Sequence, residues 1–172
     1  VSTNVVLMDS KDNKKLYETL YIRTKGQPLA SLKEGFKALK EKGYSDHDIL
    51  GVGVTGSARV LIGNIIGADS IKNEITAHAV AAIDVNPDVK TVIEIGGQDS
   101  KIIIIRDGIA VDFAMNTICA AGTGSFLDQQ AFRLNIQIEE FGEYALRADE
   151  PVRIAGRCTV FAESDMIHKQ QE

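Results

Sequence analysis

The sequence lacks the features that direct a protein to membranes or to nucleic acids. No apolar run approaches the roughly 20 residues that a helix needs to cross a bilayer. No cluster of lysine and arginine interrupts the net charge of −5, which argues against a surface for binding polyanions. Residues 1–8 lack the charged start and the long apolar segment of a secretory signal. These absences predict a cytoplasmic protein that contacts neither membrane nor nucleic acid.

Low-complexity segments are also absent, and the composition is that of a folded protein. Of the 172 residues, 44% are hydrophobic and 25% are charged, which is the usual globular balance. This length is sufficient for one good core or for two small lobes. The chain begins at valine with a strand already under way, so we expect it to be a piece of a longer protein.

The spacing of apolar residues predicts a mixed α/β chain. Helices are expected from Pro28 to Gly43, after the capping residue Asn73, and over 125–134 and 139–146. Strands are expected over 4–8, 16–24 and 109–113, a buried strand over 49–54, and largely buried strands over 92–95 and 102–105. This order indicates an α/β layer architecture in which a hairpin opens each half of the chain.

The turn of the second hairpin, residues 94–101, reads EIGGQDSK and is the most informative segment. Gly96 and Gly97 at its tip give the backbone the conformational freedom that lets amide groups converge on an anion such as phosphate. The residues whose side-chain oxygens suit Mg²⁺ or the orientation of a water are Glu94, Gln98 and Asp99. An ordinary hairpin with a flexible tip is the alternative, because short glycine motifs also occur by chance.

Two further motifs follow in order along the chain. They are Cys119-Ala-Ala-Gly-Thr-Gly124, continued by Phe126-Leu-Asp128, and Cys158-Thr-Val-Phe-Ala-Glu-Ser164. With the hairpin motif, they resemble the ATP-dependent activators of 2-hydroxyacyl-CoA dehydratases and the related ATPase subunits of benzoyl-CoA reductase. Those proteins belong to the acetate kinase, sugar kinase, Hsp70 and actin superfamily, whose two ribonuclease H-like lobes close over ATP. The resemblance implies two lobes here, residues 1–90 and 91–172, with a hinge near residue 90.

The resemblance also implies roles for individual residues. The expected catalytic residues, which would hold Mg²⁺ and the attacking water, are Glu94, Gln98 and Asp99. The expected nucleotide-binding residues are Gly96, Gly97, Lys101, Thr123 and Gly124, with Thr55 and Gly56 as the glycine turn of the first lobe. The chain departs from the family pattern in carrying glutamate rather than aspartate at position 94. The family's first phosphate loop and its later Gly-Gly adenosine motif are expected to lie outside residues 1–172.

Cys119 and Cys158 are the only cysteines, whereas a [4Fe–4S] cluster ordinarily needs four thiolates. A two-fold symmetric dimer would supply two cysteines from each subunit, and the family uses one such bridging cluster per homodimer. Each cysteine precedes a segment that is expected to start a helix. Two alternatives remain open: both cysteines are small buried hydrophobic residues, or they form a disulfide in purified protein.

The resemblance therefore implies an ATP-hydrolysing iron–sulfur protein that donates one low-potential electron. The expected partner is an iron–sulfur dehydratase or reductase that acts on a CoA thioester, and the expected cofactors are ATP, Mg²⁺ and a shared cluster. Two other functions stay open. One is a sugar-kinase-like phosphotransferase without a cluster, and the other is a catalytically silent regulatory lobe of a larger fused protein.

Overall fold

The computed structural model describes residues 1–12, 14–116 and 122–171, and the chain divides into two compact units. Unit 1 is Val1–Ala81 and unit 2 is Ala82–Glu172. The described residues form two two-stranded sheets in unit 1 and one three-stranded sheet in unit 2. None of the helices in the described ranges is both long enough and apolar enough to cross a membrane.

Unit 1 begins with the predicted hairpin, in which β1 (Ser2–Met8) pairs antiparallel with β2 (Leu16–Arg23). The carboxylate of Asp9 organises the turn by accepting hydrogen bonds from the backbone N–H groups of Lys11 and Asp12 and from the hydroxyl of Tyr17. The Tyr17 hydroxyl, followed by these two amides, lowers the pKa of Asp9 from 3.8 to about 2. Asp9 therefore uses its hydrogen-bonding capacity inside the turn itself.

Helix α1 (Pro28–Glu41) follows the hairpin, begins at the predicted proline and ends before Gly43. It packs directly against the sheet, since a Cβ at Gly35 would lie 2.8 Å from Cγ2 of Val5. Leu39 is buried on the helix, whereas Phe36, which the apolar spacing also placed on the inner face, is exposed. The predicted amphipathic helix is confirmed, with a narrower buried face than expected.

The prediction of a strand over 49–54 is mostly wrong. Only β3 (Gly53–Val54) forms, parallel to β4 (Ser70–Ile71), and Leu50 is 81% exposed. The N–H of Val52 is bonded by the carboxylate of Asp69 rather than by a neighbouring strand, and this contact replaces the expected ladder. The sequence analysis also missed the helix between these strands, α2 (Arg59–Ile66).

Helix α3 (Glu74–Val85) contains the division between the two units. Its first turn is capped as predicted, since Oδ1 of Asn73 accepts the N–H of Thr76 at 2.8 Å. Ala79 is buried on this helix.

Unit 2 contains an antiparallel sheet in the order β5 (Thr91–Ile95), β6 (Ser100–Arg106) and β7 (Ile109–Asn116). The hairpin and the third strand are confirmed, but the expectation of largely buried strands holds for only one face. Ile103 and Ile105 are buried, whereas Ile93, on the opposite face, is 72% exposed. A run of apolar residues cannot by itself distinguish a strand buried on one face from one buried on both.

The helices of unit 2 are α4 (Gly124–Leu134), α5 (Ile138–Leu146) and α6 (Thr159–Lys169). Their positions agree with the predicted helices, and α6 starts directly after Cys158 as expected. Phe126 and Ala131 of α4 are buried. Gly124, the last residue of the Cys119–Gly124 motif, begins α4, and Cys158, the first residue of the third motif, directly precedes α6.

Candidate functional site

The tip of the β5–β6 hairpin brings the charged residues of the first motif together. Glu94 and Lys101 are directly opposite each other on the paired strands, and the last pair before the turn is Ile95 with Ser100. The N–H of Gly96 donates to the carbonyl of Asp99 at 2.9 Å and closes the turn. The short turn thus places Asp99 on the same side of the hairpin as Glu94, within reach of one ammonium group.

Lys101 bridges the two carboxylates. Its Nζ lies 2.9 Å from Oε2 of Glu94 and 2.5 Å from Oδ1 of Asp99, and its side chain is only 5% exposed. Burial lowers the pKa of Lys101, but the hydrogen bonds to Asp99 and Glu94 outweigh this effect and leave the pKa above its ordinary value. The ammonium therefore stays charged and holds one oxygen of each carboxylate.

Gly96 is required here for space rather than for backbone torsion. Its φ angle is not in the left-handed region, contrary to the conformational freedom expected of the tip. A Cβ at this position would lie 3.0 Å from Oε1 of Glu94 and 3.2 Å from Oδ1 of Asp99. Any larger residue would displace the carboxylates, so the glycine keeps them next to the backbone.

The start of α4 is bonded to the same tip. The N–H of Gly124 donates to the carbonyl of Gly96 at 2.9 Å, and the N–H of Ser125 donates to the carbonyl of Gly97 at 2.8 Å. The hydroxyl of Thr123, which is buried, also donates to Gly97 at 3.1 Å. These three hydrogen bonds, the tip–helix contact, join four of the predicted site residues: Gly96, Gly97, Thr123 and Gly124.

The tip–helix contact also shows which amides are in use. The amides of Gly124 and Ser125 already have carbonyl acceptors in the hairpin. By contrast, none of the hydrogen bonds among the described residues has the N–H of Gly97 or Gln98 as its donor. Gln98 is exposed at the tip. The groups that remain for an anion are therefore the two amides at the outer end of the turn.

The predicted glycine turn of the first lobe, at Thr55 and Gly56, lies in unit 1. Gly56 has a φ of +90°, which residues with a Cβ rarely adopt. Its carbonyl accepts a hydrogen bond from Nη1 of Arg59 at 3.0 Å, and the same nitrogen lies 3.7 Å from Oε2 of Glu74. Arg59 thus links this turn to the start of α3. The sequence analysis missed Arg59, because a single arginine three residues after a glycine carries no recognisable pattern.

Of the two predicted cluster ligands, Cys158 is described and Cys119 lies outside the described residues. Cys158 is half-buried at the residue that precedes the first turn of α6. The next apolar side chains, Val160 and Phe161, are 68% and 65% exposed. Within the described ranges, no three acidic, histidine or cysteine side chains are grouped as metal ligands.

The whole chain, residues 1–172, matches the model of the BadF/BadG/BcrA/BcrD ATPase family. The chain belongs to this family. Among curated relatives of this member, the (R)-2-hydroxyglutaryl-CoA dehydratase activating ATPase of Acidaminococcus fermentans is 44% identical over 100 residues, which are 58% of this chain and 38% of the relative. The 2-hydroxyisocaproyl-CoA dehydratase activator of Clostridioides difficile is 37% identical over 137 residues, which are 79% of this chain and 50% of the relative.

Solved structures agree with the family membership. The crystal structure of the Acidaminococcus fermentans (R)-2-hydroxyglutaryl-CoA dehydratase component A matches 99% of this family member with a TM-score of 0.84 and 30% identity. The activator from Clostridium difficile with bound ADPNP matches 99% with a TM-score of 0.79 and 31% identity. The chain covers 64% and 66% of those two structures and about half or less of the two curated relatives. The fold is therefore the α/β, actin-like ATPase fold of these activators.

Proposed function

We propose that this BadF/BadG/BcrA/BcrD family member is part of an ATP-hydrolysing iron–sulfur activator. The complete protein would deliver one low-potential electron to a partner that acts on a CoA thioester. The observation that carries this proposal is the tip of the β5–β6 hairpin, which holds two carboxylates and two amides that have no acceptor among the described residues. In this proposal, residues 1–90 and 91–172 belong to two lobes that close over ATP.

The hairpin tip is the proposed phosphate site. The amides of Gly97 and Gln98 have no acceptor among the described residues, and we assign an anion to them, because backbone N–H groups in a tight turn can converge on phosphate oxygens. Each carboxylate has one oxygen that Lys101 does not hold, and this donor set fits Mg²⁺, which takes few protein ligands alongside phosphates. When bound, Mg²⁺ would neutralise charge on the transferred phosphoryl group. Glu94, Gln98 and Asp99 would orient the attacking water.

The remaining nucleotide contacts are proposed on the same grounds. Thr123 and Gly124 set the start of α4 beside the phosphate site, because they hold the hairpin tip in place. Thr55 and Gly56 would contact the nucleotide from the first lobe, with the turn fixed by Arg59.

Cys158 and Cys119 are proposed as ligands of a [4Fe–4S] cluster shared between two copies of the chain. The sequence context of Cys158 supports this proposal, since Val160 and Phe161, which follow it in α6, are exposed apolar side chains of the kind found at subunit interfaces. A two-fold axis would present the pair twice and complete the four thiolates. The cluster, when bound, would hold and release the single electron.

The proposed partner follows from the names of the relatives. They include activators of (R)-2-hydroxyglutaryl-CoA, 2-hydroxyisocaproyl-CoA and lactoyl-CoA dehydratases, and one of the subunits of a benzoyl-CoA reductase. We infer that the partner is an iron–sulfur dehydratase or reductase of this kind, located in the cytoplasm. ATP hydrolysis would supply the free energy for a conformational change that tunes the donor, since exposure and hydrogen bonding set cluster potentials.

The test of the cluster is iron analysis of the full-length protein purified without oxygen. We expect about four irons per dimer and an electron paramagnetic resonance signal after reduction. Both Cys119→Ala and Cys158→Ala should abolish the signal, whereas Ser164→Ala on the same helix should retain it. A colourless protein without iron that phosphorylates a sugar would instead support the phosphotransferase alternative.

The test of the ATPase is turnover of the same full-length protein with and without Mg²⁺. Hydrolysis should require Mg²⁺ and should be lost in Glu94→Ala. Asp112→Asn, a change at an exposed carboxylate of β7, is the matched control and should hydrolyse ATP at the normal rate. Equal turnover in both variants would show that the hairpin tip is not the hydrolytic site.

A further inference from the structure

Lys101 stands apart from the other charged residues in the described ranges. It is the only one of them that is buried, and it lies on β6 directly opposite Glu94. Buried lysines are costly unless they are paired, so a lysine in this place needs its carboxylate partners. The sequence motif suggested that Lys101 contacts the nucleotide, but the ammonium is already engaged by two carboxylates.

The geometry at the carboxylates is asymmetric. Lys101 holds Oε2 of Glu94 and Oδ1 of Asp99, and the second oxygen of each group accepts no hydrogen bond from a described residue. A carboxylate with one oxygen fixed cannot rotate freely, so the position of its second oxygen is also fixed. Hydrogen-bond partners of this type commonly orient the ligands of a metal.

The charges favour the same arrangement. Glu94 and Asp99 repel each other when they converge on one ammonium, and Lys101 reduces their combined charge to a single negative charge. The pair can therefore stay together before a cation binds, and it still attracts one. A negatively charged phosphate, by contrast, would have to compete with both carboxylates for the buried ammonium.

We propose that Lys101 is a positioning residue for metal binding, which holds Glu94 and Asp99 side by side with one oxygen of each left for the cation. In this role Lys101 does not contact the phosphates. The inference rests on the proposed function, and it replaces direct nucleotide binding by Lys101 with orientation of the metal ligands.

The test compares Lys101→Met with Lys90→Met in the full-length protein. Lys90 is exposed next to β5 and is the matched control. Calorimetric binding of ATP in EDTA should stay within about twofold of wild type in both variants, since no phosphate contact is lost. The Mg²⁺ concentration for half-maximal ATPase activity should rise by about tenfold or more in Lys101→Met alone. Weakened metal-free ATP binding with an unchanged Mg²⁺ requirement would overturn the inference and restore a direct phosphate contact.

A second measurement does not depend on ATPase activity. The gain in affinity for the non-hydrolysable analogue ADPNP on adding Mg²⁺, measured by calorimetry, should be about tenfold smaller in Lys101→Met than in wild type. An unchanged gain would overturn the positioning role, whereas absent ATPase activity in wild type would refute only the proposed function. If Lys101→Met does not fold, Lys101→Gln, which keeps a donor without the charge, should give the same two results.

Discussion

The two hairpins of the chain differ in how their turns use carboxylate and backbone N–H groups. In unit 1, the turn between β1 and β2 uses its carboxylate on its own backbone and on Tyr17. In unit 2, the turn between β5 and β6 holds two carboxylates on a buried lysine, and the N–H groups of Gly97 and Gln98 have no acceptor among the described residues. The first turn is complete by itself, whereas the second has polar groups to offer a ligand.

The difference shows why one hairpin is structural and the other is a candidate site. A turn that uses its polar groups internally is stabilised by them and has little to give a ligand. A turn whose carboxylates are held by a buried cation and whose amides lack acceptors is preorganised for binding. The contrast can be tested residue by residue, since Asp9 and Asp99 occupy corresponding turns.

The largest expected effect is on activity. Glu94→Gln and Asp99→Asn in the full-length protein should each reduce the kcat of ATP hydrolysis by about 100-fold or more, because each removes a charged group from the proposed reaction site. Asp9→Asn should leave kcat unchanged. A steady-state phosphate-release assay measures all three, and a comparable loss in Asp9→Asn would erase the distinction between the hairpins.

Stability should also separate the two turns. Lys101→Met should lower the free energy of unfolding by about 2–4 kcal/mol, because two partly buried carboxylates lose their cation. Lys15→Met in the first hairpin should lower the free energy of unfolding far less, since exposed ion pairs contribute little. Lys15 lies 3.8 Å from Asp9 and its side chain is 57% exposed. Urea denaturation followed by circular dichroism gives both values, and similar losses would contradict the assignment of a special environment to Lys101.

The tip–helix contact should have a smaller but measurable effect. Thr123→Val removes the hydroxyl that donates to Gly97 and should cost about 1–2 kcal/mol, since the carbonyl loses a buried partner. Thr91→Val, at an exposed position of β5, is the control and should change stability little. Thermal unfolding of the two variants under identical conditions provides the comparison. An unaffected Thr123→Val would mean that the two amides of α4 suffice to hold the tip.

The smallest expected effect is the change of the melting temperature with pH. The pKa of Asp9 is lowered from 3.8 to about 2. Its carboxylate therefore contributes to folding stability above pH 3.8, and this contribution is lost as the pH falls through 2. The pKa of Lys101 is raised above 10.5, so its contribution is present below pH 10.5 and is lost only at higher pH. Melting temperatures of wild type and Asp9→Asn should therefore converge between pH 4 and 2. A constant difference across this interval would show that Asp9 does not stabilise the turn through its charge.

Local sequence signals were sufficient for much of the fold. The turn residues around Asp9 and the glycines of the second hairpin predicted both hairpins, and Asn73 predicted the start of α3. The prediction of a strand over 49–54 was mostly wrong, because the N–H of Val52 donates to the side chain of Asp69, seventeen residues later, and not to a neighbouring strand. Such a contact between distant residues leaves no mark on apolar periodicity.

The sequence predicted which residues form the candidate site better than it predicted how their side chains are arranged. The motifs named Glu94, Asp99 and Thr123, but they did not reveal that Lys101 faces the carboxylates. The strand register alone would have placed Lys101 opposite Glu94, yet its engagement with Asp99 depends on the conformation of the turn. Arg59 was missed for the same reason, since its two partners meet only in the folded unit.

The hydrogen bonds between the hairpin tip and the first residues of α4 fix the N-terminal end of that helix to the backbone of Gly96 and Gly97. The helix has 11 residues and, at 1.5 Å per residue, is about 16 Å long. A rotation of about 10° about its N-terminal end would therefore displace its C-terminal end by about 3 Å. Under the proposed function, a small adjustment of the hairpin tip on phosphate binding would therefore displace the C-terminal end of α4 by several times as much.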